Sequence, residues 1–284
     1  MFREYAKALL KRVDTRQLMQ FKPPTLPPRI YTKQLNIDNK HYAAFCQEVA
    51  WQDAATMHPL YLQMLSLPLQ MQCLLDKKSP FPLLGLIHAA NRVEVLEECD
   101  LSETFECRVR FSDVRPHSRG WEVDVSLEAF QQGRCVYKAI SSYLVKVKAV
   151  HVAPRAPVQD TTEACVDSPK NLLAELDVTA DTGRRYAKIS GDYNPIHLFG
   201  LSAKAFGFKR PIAHGMWTLA RALSFVPVSN GQHISDVVCR FKRPVMLPCS
   251  INIYQMCQDE DRSIMEITSS DDQQVHLDAE VSTL

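Results

Sequence analysis

One order of elements, an apolar helix followed by a series of short strands, occurs twice in this sequence. In the second half an apolar helical segment opens at Gly215, and residues 240–247 lead into strands. In the first half an apolar segment opens at Pro59, and residues 91–96 lead into strands after a similar length of chain. Such a repeat predicts two copies of one structural unit in a single chain.

Alternation of apolar and polar residues predicts the strands. The clearest case is WEVDVSLEAF at residues 121–130, which has the pattern of a half-buried strand. The strands predicted in the first half cover residues 84–96, 103–111, 121–130 and 136–147, with a turn at Gln132-Gly133. Those predicted in the second half cover residues 172–178, 234–241, 250–257, 262–268 and 274–282. Helices and antiparallel strands grouped in this way indicate the α+β class.

The remaining segments predict helices, an arm and a linker. Helices are predicted at residues 2–13, 41–53, 59–77 and 181–189, and from Trp217 onward. Residues 19–40 contain a proline-rich arm that cannot form a regular helix and is expected to lie as an extended strap. Residues 149–170 lack periodicity and predict a linker. The chain is thereby divided into an N-terminal unit, residues 1–148, and a C-terminal unit, residues 171–284.

Composition limits the classes of partner and compartment. The net charge of +1 gives no bulk field that would favour nucleic acid, so no nucleic-acid partner is expected. The nine cysteines include no CxxC pair, which predicts reduced thiols in the cytoplasm rather than disulfides or a zinc site. The longest apolar stretch, residues 57–75, is interrupted by Pro68 and several glutamines and is a poor membrane span.

The densest group of chemically active residues is SGDYNPIH at residues 190–197. Gly191 permits unusual backbone geometry, and Asn194 followed by proline is a strong turn signal. On such a stiff loop, Asp192 and His197 can both point into one pocket and hold a water molecule. His197 can move a proton near neutral pH, whereas Asp192 can orient the water or carry a proton. The alternative is that these side chains only bond the backbone of their own turn.

A second turn, PIAHG at residues 211–215, precedes the apolar helix of the second half. Free backbone N–H groups and the dipole at a helix start stabilise negative charge. Gly215 would let a substrate approach this backbone closely, so its N–H could stabilise a developing enolate. His214 is interpreted as a structural residue, either a cap or a packed core histidine.

Residues 186–215 resemble the MaoC-like, (R)-specific enoyl-CoA hydratases and dehydratases. The motif of that family is an aromatic residue, then S-G-D-x-N-P-I-H, then G-F-x-x-P-I-A-H-G-M. Residues 240–248, RFKRPVMLP, also resemble the strand entry of the family. The resemblance implies a double hot-dog fold, in which two antiparallel sheets each wrap a central helix. It also implies a lyase of fatty acid metabolism that reversibly adds water to a trans-2-enoyl thioester.

The resemblance implies roles for individual residues. Asp192 and His197 would be the acid–base pair, Asn194 the organiser of the loop, and Gly215 the N–H donor to the thioester oxygen. Many relatives carry an acidic residue soon after the histidine, whereas LFGL follows it here. The first half has no GDxNPxH, and Pro59, which has no N–H, stands where Gly215 stands in the second half. One active site per chain is therefore predicted, with a degenerate first unit whose residues 60–75 help to form an acyl tunnel.

The substrate implied by the resemblance carries coenzyme A or a phosphopantetheine arm, so no separate cofactor and no metal are expected. Candidate contacts to its phosphates are the cations nearest the motif: Lys209, Arg210, Lys242 and Arg243. An acyl-CoA or acyl-carrier protein is the expected partner. The quaternary state stays open, with a homodimer as one candidate.

Two other functions are compatible with these residues. A hot-dog acyl-CoA thioesterase would use the carboxylate and its water to attack the thioester carbonyl, although the position of His197 argues against it. A non-catalytic acyl-thioester binding protein would retain the fold alone, but the intact set of Asp192, His197 and Gly215 argues against that. The sequence contains no GxGxxG, GxxxxGK[ST], GxSxG or HExxH motif, so nucleotide, serine hydrolase and zincin sites are unsupported.

Overall fold

The computed structural model describes residues 13–53, 56–147, 170–228, 232–258 and 261–284. The strands are β1 (Tyr31–Leu35), β2 (Ile87–Val95), β3 (Phe105–His117), β4 (Gly120–Gln131), β5 (Arg134–Lys146), β6 (Asn171–Val178), β7 (Ile234–Phe241), β8 (Cys249–Gln258), β9 (Arg262–Ser269) and β10 (Val275–Thr283). The α-helices are α1 (Asn39–Val49), α2 (Tyr61–Leu65), α3 (Leu67–Leu74), α4 (Thr182–Ser190), α5 (Gly200–Ala205) and α6 (Gly215–Leu223). Every predicted strand is confirmed, although β3 continues beyond its predicted end.

The described strands form one sheet in the order β1-β3-β4-β5-β2-β7-β10-β9-β8-β6. Counted inward from one edge of the sheet, the five strands of the first half are the first, third, fourth, fifth and second of that half along the chain. From the other edge inward, β6-β8-β9-β10-β7 repeats that order. The two halves join where β2 pairs antiparallel with β7, with Arg92 opposite Val238. This repetition confirms the duplicated α+β architecture. The predicted linker at residues 149–170 lies almost entirely outside the described residues. The boundaries of the two units therefore stay predictions.

The helix α6 is the central helix of the second half. Its residues Leu219, Ala220, Ala222 and Leu223 are all fully buried, and Trp217 is nearly so. A helix that is apolar on most sides is stable only when it is enclosed, and here the sheet and α1 enclose it. Its N-terminus is thereby fixed at the junction between the two halves of the sheet.

The apolar segment of the first half differs from its prediction. A single helix over residues 59–77 was expected, but α2 ends at Leu65 and α3 begins at Leu67. Pro68 has no N–H, so a continuous helix would lose a hydrogen bond at this point, whereas proline is favourable in the first turn of a new helix. The Ser66 hydroxyl donates to the Gln63 carbonyl at 2.8 Å and stabilises the break.

The proline-rich arm is held against the first half of the sheet, as predicted for an extended strap. Leu18 is buried, and the Trp121 indole N–H donates to the Leu18 carbonyl at 2.9 Å. The arm then forms β1, which was not predicted, and pairs with the edge of β3. The predicted helix at residues 2–13 lies outside the described residues except for Val13.

The thiols and helices that the structure describes agree with the compositional reading. Each cysteine whose side chain is described is free. Burial raises the pKa of the Cys239 thiol well above its usual value, so this thiol is unreactive. Among the described helices, none is long and apolar enough to span a membrane.

Candidate active site

The C-terminus of α4 positions Asp192. Gly191 takes a left-handed conformation with φ of 72°, and its N–H donates to the Ala187 carbonyl at 2.9 Å. The Asp192 N–H then donates to Ser190 Oγ at 3.1 Å. Asp192 Oδ1 in turn accepts the Asn194 N–H at 3.1 Å, and this contact orients the carboxylate. Asp192 is the partly exposed member of the site, with a quarter of its side chain accessible.

His197 ends the short 3₁₀ turn Pro195–His197, which Asn194 caps through its side-chain oxygen. His197 Nδ1 lies 2.8 Å from the Ile212 carbonyl oxygen. Because a carbonyl oxygen can only accept, Nδ1 carries the proton and Nε2 carries the lone pair. His197 is buried and lines the same cavity as Asp192, so Nε2 is the nitrogen available for a bound water.

His214 connects the two turns. Its ring stacks on the ring of His197, with centroids 3.7 Å apart and planes inclined by 25°. Its Nε2 donates to the Asp192 carbonyl oxygen at 3.0 Å and lies 3.8 Å from Asp192 Oδ2. Its Nδ1 is buried, with no hydrogen-bond partner among the described residues. The structural role expected for His214 is thus to fix the positions of both Asp192 and His197.

Burial keeps both imidazoles neutral. Burial, together with the neighbouring His214, lowers the pKa of His197 to about 3 against the opposing effect of Asp192. Burial also lowers the pKa of His214. At neutral pH both rings of the site are therefore uncharged.

The arrangement does not fit a metal ion. Among the described residues, Asp192, His197 and His214 form a group of three ligand-bearing side chains whose atoms lie within 4.8 Å of one another. The planes of the two stacked rings are inclined by only 25°, so their remaining lone pairs lie in nearly parallel planes and do not converge on one ion. The expected absence of a metal stays a prediction that this geometry supports.

Gly215 is the first residue of α6, and no described residue accepts its N–H. A Cβ atom at this position would lie 2.8 Å from Cε1 of Phe241. A larger residue at this position would therefore force the Phe241 ring, which packs directly on the start of the helix, to move. The sequence did not single out Phe241, since this contact joins residues that are distant along the chain.

A cavity of about 680 Å³ brings these groups together with side chains from the first half. Asp192, Asn194, His197 and Gly215 all lie on its wall. The predicted tunnel segment contributes apolar side chains to the same wall: Met64, Leu67, Met71 and Leu74. The first half thus supplies much of the apolar wall of the cavity next to the site.

The predicted cations divide into two pairs. Lys242 and Arg243 line the cavity, whereas Lys209 and Arg210 are exposed and are not on its wall. Two cations of the first half that the sequence did not indicate, Arg119 and Lys146, also line it. The assignment of any of these residues to substrate phosphates stays a prediction.

The equivalent position in the first half has a packing role. His58 is fully buried between aromatic rings, and its Nε2 lies 3.2 Å from the Ala220 carbonyl oxygen. The Pro59 carbonyl accepts the hydroxyl of Tyr137 at 2.8 Å. These contacts are consistent with the predicted degenerate first unit.

The fold and the site define a double hot-dog protein with an Asp–His pair beside the start of α6, and the comparisons with known proteins agree with the fold. Residues 162–279 match the family model described as MaoC like domain. The chain is 29% identical over 231 residues, 81% of this chain and 80% of the relative, to 3-hydroxyacyl-thioester dehydratase X of Mycobacterium tuberculosis. The crystal structure of HtdX from the same organism superposes with a TM-score of 0.75 at 25% identity, covering 90% of this chain and 100% of that one.

A probable enoyl-CoA hydratase 2 of Dictyostelium discoideum is 22% identical over 135 residues, which is 47% of this chain and 46% of the relative. Residues 162–279 are therefore a MaoC-like domain. The fold class and the family expected from the sequence are both confirmed.

One glycine that the sequence did not indicate yields a test of the site. A Cβ atom on Gly183 of α4 would lie only 2.1 Å from the His197 carbonyl oxygen. We expect Gly183→Ala to push the His197 loop away from α4, with a loss of stability of about 1–3 kcal/mol and a marked loss of kcat. Gly200→Ala is the matched control, because a Cβ there meets nothing within 4 Å. Chemical denaturation and initial rates would measure both effects, and equal behaviour of the two variants would contradict this account.

Buried neutral histidines also predict acid sensitivity. Burial lowers the pKa of His58 and of His88 to about 4, and that of His197 to about 3. At pH values between these lowered pKa values and the ordinary histidine pKa of 6.5, the unfolded chain binds more protons than the folded chain. Stability should therefore be complete above about pH 6.5 and should fall by a few kcal/mol as the pH decreases toward 4. Denaturation midpoints at pH 7.5 and pH 5 would measure this, and His58→Gln should reduce the difference; a pH-independent midpoint would contradict it.

Proposed function

We propose that this cavity catalyses the reversible syn hydration of a trans-2-enoyl thioester to the (R)-3-hydroxyacyl thioester. The observation that carries the proposal is that Asp192, His197 and the start of α6 at Gly215 lie on the wall of one cavity. The pair can hold a water, and the Gly215 N–H can donate a hydrogen bond to the thioester carbonyl oxygen. The 3-hydroxyacyl-thioester dehydratase and the enoyl-CoA hydratase 2 among the relatives support the same reaction.

The geometry supports the following course for hydration. His197 Nε2 accepts one O–H of the water, and the Asp192 carboxylate accepts the other. As the water oxygen bonds to C3 of the substrate, the electrons of the C2=C3 bond move toward the thioester oxygen and form an enolate. The Gly215 N–H and the positive end of the α6 dipole stabilise this charge.

The proton released by the water then passes through Asp192 to C2. Burial lowers the pKa of His197 to about 3, so its ring is a poor site for a full positive charge and acts as a hydrogen-bond acceptor. One water thereby supplies both the hydroxyl at C3 and the hydrogen at C2 on the same face, which is syn addition. The carboxylate is restored, and the reverse sequence gives dehydration.

An assay with two readouts tests this function. With trans-2-enoyl-CoAs from short to long, we expect loss of the enoyl absorbance, no release of free thiol, and an (R)-3-hydroxyacyl product by chiral analysis. Release of free thiol would instead identify a thioesterase. Binding of the enoyl-CoAs without turnover would indicate a non-catalytic acyl-thioester protein.

The apolar wall from the first half suggests the length of the acyl chain. Met64, Leu67, Met71 and Leu74 line the cavity, and flexible methionines suit an adaptable wall. We propose that the cavity accepts medium or longer acyl chains. Activity confined to four-carbon substrates would exclude this part of the proposal.

The remaining parts of the proposal concern cofactors, delivery and compartment. The reaction needs no cofactor and no metal, because the substrate itself carries coenzyme A or phosphopantetheine. The free cysteines that are described support a reducing compartment, which we propose is the cytoplasm. Assembly as a homodimer is a further proposal, and analytical ultracentrifugation would decide it.

A further inference from the structure

The backbone carbonyl of Ile189, in the last turn of α4, receives no N–H from its own helix. Gly191 ends the helix, and the N–H groups that follow it bond within the loop itself. A carbonyl left over at a helix end needs a donor from another part of the chain. His41 supplies it, because its Nε2 lies 2.9 Å from the Ile189 carbonyl oxygen. Ile189 comes three residues before Asp192, so this contact is made where the candidate catalytic loop begins.

His41 belongs to α1 of the first half, and both of its ring nitrogens are used. Because the Ile189 carbonyl can only accept, Nε2 carries the proton and Nδ1 keeps its lone pair. Nδ1 accepts the hydroxyl of Tyr61 at 2.8 Å. Tyr61 is fully buried at the start of α2, where its ring packs edge-on against Tyr42 with centroids 4.7 Å apart. The imidazole is therefore held in one orientation between α2 and the end of α4.

A second contact from α1 reaches both helices of the site. Glu48 accepts the side-chain Nε–H of Arg185 in α4 at 3.0 Å and the indole N–H of Trp217 in α6 at 3.2 Å. Its side chain is only 10% exposed, and a carboxylate so far from solvent is stable only with partners of this kind. Helix α1 thus contacts the helix that ends at the candidate catalytic loop and also the helix that begins at Gly215.

We propose that His41 is a positioning residue of the reaction, which holds the end of α4, and with it the Asp192 carboxylate, in place relative to the Gly215 N–H. This inference rests on the proposed function and adds a residue to its machinery. His41 does not line the cavity, so it acts on the substrate only through the loop. Reacting groups need support of this kind, because a displacement of about 1 Å can cost about 100-fold in rate.

The same contact gives the first half a part in the chemistry. That half has no GDxNPxH loop of its own. Through His41 it nevertheless determines where the loop of the second half lies, and through Glu48 it holds α4 and α6 together. The two halves are therefore coupled by side chains outside the cavity, in addition to the apolar wall that they share.

Two substitutions of His41 separate positioning from general stability. In His41→Gln the amide nitrogen can take the place of Nε2 and still donate to the Ile189 carbonyl. In His41→Asn the amide oxygen can only take the place of Nδ1 and accept the Tyr61 hydroxyl. Each variant loses one hydrogen bond, so the two should unfold at similar denaturant concentrations. We expect kcat for a trans-2-enoyl-CoA to fall by about 10- to 100-fold in His41→Asn and by less than about threefold in His41→Gln, with KM unchanged in both.

Lys40 supplies the matched control, because it is the exposed neighbour of His41 in α1 and does not line the cavity. Lys40→Gln and Lys40→Asn measure the difference in helix propensity between the two amides, and both should keep the kcat of the wild type. Amide hydrogen exchange without substrate is a second readout that does not depend on turnover. We expect residues 190–197 to exchange about tenfold faster in His41→Asn than in His41→Gln.

Equal kcat of the two His41 variants would overturn the proposal, as would equal exchange rates at residues 190–197. A kcat that simply followed the unfolding midpoint across all four variants would also overturn it, because stability alone would then explain the rates. If the exchange rates differed as expected but the wild type hydrated no enoyl thioester, the proposed function alone would be refuted.

Discussion

Asp192→Asn is expected to lower kcat by about three orders of magnitude while leaving the fold intact. An asparagine side-chain oxygen can still accept the Asn194 N–H, which Asp192 Oδ1 accepts at 3.1 Å, so the loop should keep its shape. The amide cannot take the proton of the water or return it to C2 of the substrate. Initial rates with a trans-2-enoyl-CoA, together with thermal unfolding, would measure the two effects separately.

Asp181→Asn is the matched control for this variant. Asp181 precedes the opposite end of α4 and contacts Arg185 on the surface, outside the cavity. The Asp181→Asn variant removes the same charge from the other end of α4, and its kcat should stay within about twofold of the wild type. A rate for Asp192→Asn close to that of the control would show that the carboxylate does not carry the proton, and the assigned course of the reaction would fail.

The sequence predicted that the residues of the candidate catalytic loop would meet at one cavity, because they are close along the chain. Gly191, Asp192, Asn194 and His197 occupy one short segment whose turn residues restrict it strongly. The structure places Asp192 and His197 at one cavity, as the loop chemistry suggested. Gly215 followed from an equally local signal, the start of an apolar helix.

The contacts that support this loop come from distant parts of the chain and left no local signal. Gly183 abuts the His197 backbone from α4, and Phe241 packs on Gly215 from the end of β7. Alternation along a strand predicts which residues share a face, but it does not predict which strand is the neighbour. The pairing of β2 with β7, and the cavity that Arg119 and Lys146 share with Lys242, were therefore not predictable from the pattern.

The prediction of a single helix in the first half failed for a different reason, which lies within the segment itself. Residues 59–77 are apolar throughout most of their length, which is typical of one long buried helix. Pro68 can equally begin a second helix, and buried contacts of Ser66 with Gln63 and Gln70 favour that choice. Side-chain hydrogen bonds within the segment thus favour one of two conformations that the local sequence permits.

His197→Asn is expected to abolish most of the activity without a large loss of stability. The asparagine amide can replace Nδ1 as donor to the Ile212 carbonyl, which lies 2.8 Å from that nitrogen, but it offers no equivalent of Nε2 to the water. His197→Ala loses both contacts and leaves a cavity, so it should be as inactive and also less stable by about 1–3 kcal/mol. We expect kcat of both variants to fall by about three orders of magnitude. His233 does not line the cavity, so the control variant His233→Asn should keep the kcat of the wild type.

The double variant Asp192→Asn/His197→Asn tests whether the two side chains act on one water. If they do, removal of either already prevents the water from being held and deprotonated, so the second substitution should cost little more than the first. Strong non-additivity of this kind is typical of residues that act as a unit. Losses in kcat that simply multiply would instead mean that Asp192 and His197 contribute to separate steps, and the stack that His214 makes with His197 would then have only a packing role.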